Sequence, residues 1–117
     1  SDVCSSDLIP LNTFKTTPFN LTTNFQTVYT VPVNVTTVVL LAQVSNVDPA
    51  NNIQVSAFHV RNGNNTSIIQ NTIIPVNDSA SLLTGKLIQQ YGDSFTANCS
   101  TNNTGQLILS YLETANQ

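Results

Sequence analysis

Turn-forming residues cut this sequence into runs too short for helices, and that spacing limits its folds more than any other feature. Pro32, Asp48-Pro49, Asn62-Gly63, Pro75, Gly85, Gly92 and Gly105 separate segments rich in Val, Ile, Thr, Leu and Tyr. β-Branched and aromatic side chains fit a pleated surface and lose rotamer freedom in a helix, and no segment shows helical periodicity. Gln26–Val31 reads as a strand stopped by Pro32. Thr36–Val44 is the longest apolar stretch, with Val38, Leu40, Ala42 and Val44 assigned to one face and Val39 and Leu41 to the other, as in a central strand covered on both sides. Ile53–Ala57 alternates cleanly, and the change of apolar face between Ala57 and Phe58 predicts a bulge.

Asn62-Gly63-Asn64-Asn65 is a hairpin signal, since Asn and Gly accept the positive φ of tight turns. Thr66–Ile74 is its partner strand. Ser81–Leu83, Lys86–Gln90, Ser94–Cys99 and Gln106–Leu112 complete the set, and residues before Gln26, including Pro10 and Pro18, read as a polar lead. About seven or eight short strands at this spacing predict an all-β fold, an antiparallel β-sandwich or jelly roll. Val38, Leu40, Val55, Phe95 and Leu109 are the expected common core.

The first eight residues stand apart. Ser1-Asp2-Val3-Cys4-Ser5-Ser6-Asp7-Leu8 is the translation of TCAGACGTGTGCTCTTCCGATCT, which matches a common sequencing-library adapter. Residues 1–8 are therefore read as a foreign segment that contributes nothing to folding, and 9–117 as one β-sandwich domain. Without that segment the formal charge of −3 becomes −1, because Asp2 and Asp7 drop out. Cys4 drops out too, leaving Cys99, which by itself forms neither an internal disulfide nor a multi-cysteine zinc site. Phe95, Ala97 and Cys99 alternate onto one face, so the thiol reads as a small buried hydrophobe.

Charge and chemistry narrow the function. Charged residues are only 8 % of the chain, against roughly 25 % in ordinary soluble domains. Asn, Thr, Ser and Gln take their place, a surface that tolerates dense packing against other proteins. Lys15, Arg61 and Lys86 are scattered, so no basic patch invites a phosphate backbone, and nucleic acid is not an expected partner. No apolar run approaches the roughly 20 residues of a membrane-spanning helix, so no membrane insertion is expected.

The lone histidine, His59, reads as a satisfied structural residue, with no nucleophile elbow around any serine. Asp48, Asp78, Asp93 and Glu113 are dispersed in turns and at a strand end, where turn stabilisation is their expected role. Asn-x-Ser/Thr triplets, among them those at Asn20, Asn34, Asn64, Asn77, Asn98 and Asn102, are what an Asn- and Thr-rich chain produces by chance. No catalytic, cofactor-binding or metal-binding residue is assigned, and no enzyme is expected. Sugar binding through amides and hydroxyls is a minor reading, because Trp is absent and only Tyr29, Tyr91 and Tyr111 offer themselves for stacking.

Thr27-Val28-Tyr29-Thr30-Val31-Pro32 followed by Val35–Leu40 resembles the opening of small virion structural proteins of marine tailed bacteriophages. Ile74-Pro75-Val76, Leu82-Leu83-x-Gly85-Lys86-Leu87, Tyr91-Gly92-Asp93 and Leu109-Ser110-Tyr111-Leu112-Glu113 extend the resemblance over residues 26–113. It implies a location in the virion, after synthesis in the host cytoplasm, and a role as capsid decoration, adaptor or tail-associated subunit. The implied partners are other virion proteins and further copies of the chain, a trimer being the favoured homo-oligomer. The Gly92-Asp93 turn and the final apolar strand are also similar to trimeric jelly rolls of the tumour-necrosis-factor and complement-head type. That second likeness implies a receptor- or glycan-binding module at a phage fibre tip, although the aromatic core pattern of such modules is thin here.

Overall fold

The computed structural model describes residues 12–115, and the suspected foreign segment, residues 1–8, lies outside them. Nine strands follow in order: β1 Asn12–Asn20, β2 Gln26–Thr30, β3 Val35–Asn46, β4 Ile53–Arg61, β5 Asn64–Ile74, β6 Ser79–Ser81, β7 Leu87–Gln90, β8 Ser94–Cys99 and β9 Gly105–Ala115. They form two antiparallel sheets, a β-sandwich. The five-stranded sheet runs β1-β9-β3-β6, with β7 also on β3, and the four-stranded sheet runs β2-β8-β4-β5. β3 is central as expected, paired with β9 on one side and with β7 and then β6 on the other.

The inner faces supply the core. On β8, Phe95, Ala97 and Cys99 are buried in strict alternation, and on β9 Leu107, Leu109 and Tyr111 do the same. Val39, Ala42 and Val44 from β3 and Ile53, Val55 and Ala57 from β4 close the interior. The Asn62-Gly63 turn takes φ values of 54° and 78°, the pair that a two-residue hairpin needs for its twist to match the strands. Asn34, Asn71, Asn77 and Asn103 also adopt positive φ. Asparagine tolerates that region better than other residues with a Cβ, which gives part of the chain's Asn content a structural use.

Four expectations need correction. Val55, Phe95 and Leu109 are buried, but Val38 is only half-buried and Leu40 is 37 % exposed. The cause is a bulge: β3 advances from Val39 to Leu41 while β9 advances only from Tyr111 to Ser110, so Leu40 is an extra residue. Thr37 and Val39 face inward before it and Ala42 and Val44 after it, whereas simple alternation keeps Val38, Leu40, Ala42 and Val44 together.

Second, the β4–β5 irregularities lie in β5. β4 pairs with β8 without interruption from Val55 to Val60, while β5 spends extra residues between Thr72 and Ile69 and between Ile69 and Ser67. Phe58 and Val60 simply face outward. Third, the stretch read as a polar lead contains β1, an edge strand paired along its length with β9. Pro18 fits there because one side of an edge strand needs no N–H donor. Fourth, the short strand near Ser81 is Ser79–Ser81, and Leu82 follows it as a buried loop residue.

Candidate binding and assembly surfaces

Several titratable side chains brace the sandwich between its sheets or at its turns. From β4, His59 and Arg61 face inward beside the β7–β8 turn. Asp93, with a side chain 3 % exposed, accepts from Arg61 Nε at 2.9 Å and from Arg61 Nη2 at 2.6 Å, and its Oδ2 also takes the Gln90 backbone N–H at 2.7 Å. The Arg61 hydrogen bonds hold the Asp93 carboxyl below its ordinary pKa against the upward push of burial. Buried Gln89 donates from Nε2 to His59 Nδ1 at 2.9 Å and to the Ser94 carbonyl at 3.0 Å. His59 Nε2 lies 3.7 Å from Asp93 Oδ2.

A second tie joins Tyr29 of β2 to the opposite sheet. Its hydroxyl donates to Glu113 Oε2 at 2.6 Å and also contacts Thr37 Oγ1 at 2.7 Å, and its ring lies 4.3 Å from that of Tyr111. Lys15 of β1 pairs with Glu113 at 2.7 Å. Burial pushes the Glu113 carboxyl up, but the Lys15 and Tyr29 hydrogen bonds outweigh it and leave it below the ordinary range. Burial, followed by the bond to Glu113, raises the Tyr29 phenol well above its usual value.

His59 is held between Gln89 and Asp93. Asp48 and Asp78 serve turns, Asp48 Oδ1 accepting from the Ala50 and Asn51 N–H groups and Asp78 Oδ1 from that of Ser79. Asp93 serves its turn as well, through the Gln90 N–H, and adds the ion pair with Arg61 of β4. Glu113 departs from that expectation: it pairs with Lys15 on the neighbouring strand of its own sheet and accepts from Tyr29 of the opposite sheet. Buried Cys99 donates its thiol to the Thr101 carbonyl at 2.8 Å. Among the described residues no three His, Cys, Asp or Glu side chains gather as metal ligands would.

The outer faces carry the surfaces available to partners. Across the five-stranded sheet, strand register places Ile88, Val38, Leu112 and Phe14 side by side on β7, β3, β9 and β1. Ile88 is 60 % and Phe14 73 % exposed. The bulge adds Leu40 and Leu41, and Ile108 lies two positions from Ser110 on the same face. Alternation from Phe14, Ile88 and Leu112, and on β3 from Leu41 after the bulge, gives this face Thr16, Pro18, Gln43, Ser45, Gln90, Gln106 and Thr114 as well, and among the described residues not one charged side chain. Lys15 and Glu113 sit on the opposite face of their strands.

The outer face of the four-stranded sheet is different. β4 presents Gln54, Ser56, Phe58 and Val60, and register sets Asn98, Thr96 and Ser94 of β8 beside the last three. One depression, of about 280 Å³, is lined by Thr23, Gln54, Ser56, Asn71, Asn98, Cys99 and Ser100. Another, of about 300 Å³, is lined by Phe25, Phe58, Val60, Asn65 and Thr96. Phe25 and Phe58 meet edge to face, with centroids 5.1 Å apart and planes at 72°.

With this geometry in view, comparison with known proteins gives one point of contact. No protein-family model matches the chain, and no curated protein matches it. A solved structure does: a protein of Bacillus endospore appendages, described as a novel family of disulfide-linked pili, superposes with a TM-score of 0.52. The match covers 91 % of this chain and 88 % of that one at 7 % identity. The likeness is one of fold. A sandwich built on nearly the whole length of both chains is shared, while at this identity side-chain chemistry is free to differ.

Proposed function

We propose that this protein is a non-enzymatic structural subunit that packs against copies of itself in a larger assembly. The uncharged apolar row on the outer face of the five-stranded sheet carries the proposal. Phe14, Val38, Leu40, Leu41, Ile88, Ile108 and Leu112 leave on the order of 500 Å² of apolar surface in contact with water, the size of the largest patches on monomers, which are often functional. Interface cores are depleted of charge in the same way. Ringed by hydroxyls and amides, such a patch supplies the centre of a standard contact of roughly 800 Å² per partner.

The fold shared with a pilus-forming protein supports a subunit role without naming the assembly. The motifs of residues 26–113 point to a tailed-phage particle, with the chain as decoration, adaptor or tail-associated subunit and a closed trimer as its arrangement. Light scattering at high micromolar concentration tests the contact. The parent is expected to form a defined oligomer, and the double variant Phe14→Ser/Ile88→Ser a monomer with an unchanged thermal midpoint, because both side chains are already mostly exposed. A strictly monomeric parent that also fails to bind phage capsids or tails overturns the proposal.

A further inference from the structure

We infer that the outer face of the four-stranded sheet is a binding cleft for a neutral carbohydrate, a function additional to assembly and located on the opposite side of the sandwich. The two depressions there adjoin, because Ser56 and Phe58 are successive outward residues on β4, and Asn98 and Thr96 are successive outward residues on β8. One continuous surface therefore passes from an amide- and hydroxyl-lined end to an aromatic end. A sugar ring has this same division, hydroxyls around its edge and an apolar C–H face that packs on an aromatic ring.

The polar end is held in place before any ligand arrives. Ser56 is 5 % exposed, and its Oγ accepts the Asn71 backbone N–H at 2.9 Å, fixing Asn71 in its positive-φ bulge conformation. Asn98 Nδ2 donates to the Thr23 carbonyl at 3.2 Å, which orients the amide and leaves its oxygen with capacity to accept. Ser100 Oγ accepts the Gln54 backbone N–H at 3.0 Å. Side chains restrained in this way lose little entropy when they bind. At the other end the edge-to-face pair sets Phe25, 55 % exposed, against Phe58.

Charge selects the ligand class. No lining residue of either depression is ionisable apart from the Cys99 thiol, which is buried and donates to Thr101. An anionic ligand such as a phosphate finds no cation there. A purely apolar ligand leaves the Asn98 amide oxygen and the Gln54 amide without new partners, whereas a neutral oligosaccharide satisfies both ends. Each depression is near the roughly 300 Å³ at which small-molecule sites begin, and both are open, so affinity on the order of 1 mM is expected.

The test is an NMR titration of the isotope-labelled full chain with maltotriose, mannotriose and chitotriose in turn. At least one of the three is expected to give saturable shifts confined to residues 54–58, 71 and 96–100. Phe58→Ala is expected to abolish saturation, and Asn98→Ala to weaken binding by about fivefold or more. Where Phe58→Ala does not fold, Phe25→Ser reads the same contact from an exposed position. No saturable shift with any of the three sugars overturns the inference. So do shifts on another face, or binding that survives loss of both the aromatic and the Asn98 contacts.

Discussion

Phe95→Ala is expected to be the most damaging single truncation in the domain, at about 3–5 kcal/mol and a fall in thermal midpoint on the order of 15 °C. Phe95 is the largest of the fully buried side chains. It sits on the inner face of β8, opposite Tyr29 on β2 and His59 on β4. Both neighbours are held by inter-sheet hydrogen bonds, so they are poorly free to collapse into the space a removed ring leaves, and cost rises with the cavity that remains. Leu40→Ala, by contrast, removes a side chain already 37 % exposed at a bulge and is expected to cost no more than about 1 kcal/mol. Thermal or urea denaturation of both variants decides the matter. Equal and severe losses would mean that Leu40 points inward and that the β3 bulge is misplaced.

That pair of substitutions also marks where sequence pattern stops. Phe95, Ala97 and Cys99 were legible because β8 is a regular six-residue strand whose apolar residues alternate without interruption. The Asn62-Gly63 hairpin was legible because its turn chemistry is local. β3 was legible as a strand, but its phase was not. A bulge shifts alternation by one residue, and Val38-Val39-Leu40-Leu41 is apolar at every position, so nothing in the residues marks the shift. β1 was missed because its outward residues include exposed Phe14 and Pro18 and its inward ones include Lys15, which leaves no apolar face to recognise.

The candidate surfaces were even less visible. Phe25, just before β2, and Phe58 of β4 approach each other although β8 separates those two strands in the sheet. A search for stacking platforms among Tyr and Trp therefore passes over them. The apolar row of Ile88, Val38, Leu112 and Phe14 draws one residue from each of four strands. Excess apolar content in β3 signals that some surface remains uncovered, but register alone gathers it into a row.

Asp93→Ala is expected to cost about 2–4 kcal/mol near pH 6, the largest loss from any polar substitution considered. The carboxylate is almost wholly buried and takes two hydrogen bonds from Arg61 and one from the Gln90 backbone, and bonds to charged groups are worth about 1.5–3 kcal/mol each when broken one-sidedly. The 47 % exposure of the Arg61 side chain means that water screens part of the Coulombic attraction, so the hydrogen bonds carry most of the effect. The turn they hold also anchors β2, through Val31 N–H to the Asp93 carbonyl at 2.9 Å. Asp93→Asn should recover only part of this, since its single oxygen in the Oδ2 place keeps the Gln90 and Arg61 Nη2 contacts while its amide nitrogen sets a donor against Arg61 Nε.

The pH dependence gives this prediction a second readout. Because the folded Asp93 has its pKa lowered, its contribution is fully present above the unfolded value, about 3.9. It fades as pH falls through the folded value. The gap in midpoint between parent and Asp93→Ala should therefore be constant from pH 6 to about 5 and shrink below about pH 4. Glu113, lowered by Lys15 and Tyr29, makes the parent acid-sensitive over the same range, but it is present in both proteins and leaves their difference to Asp93. A gap within about 0.5 kcal/mol at pH 6, or one that persists unchanged to pH 3, would show that the Arg61–Asp93 pair does not hold the turn.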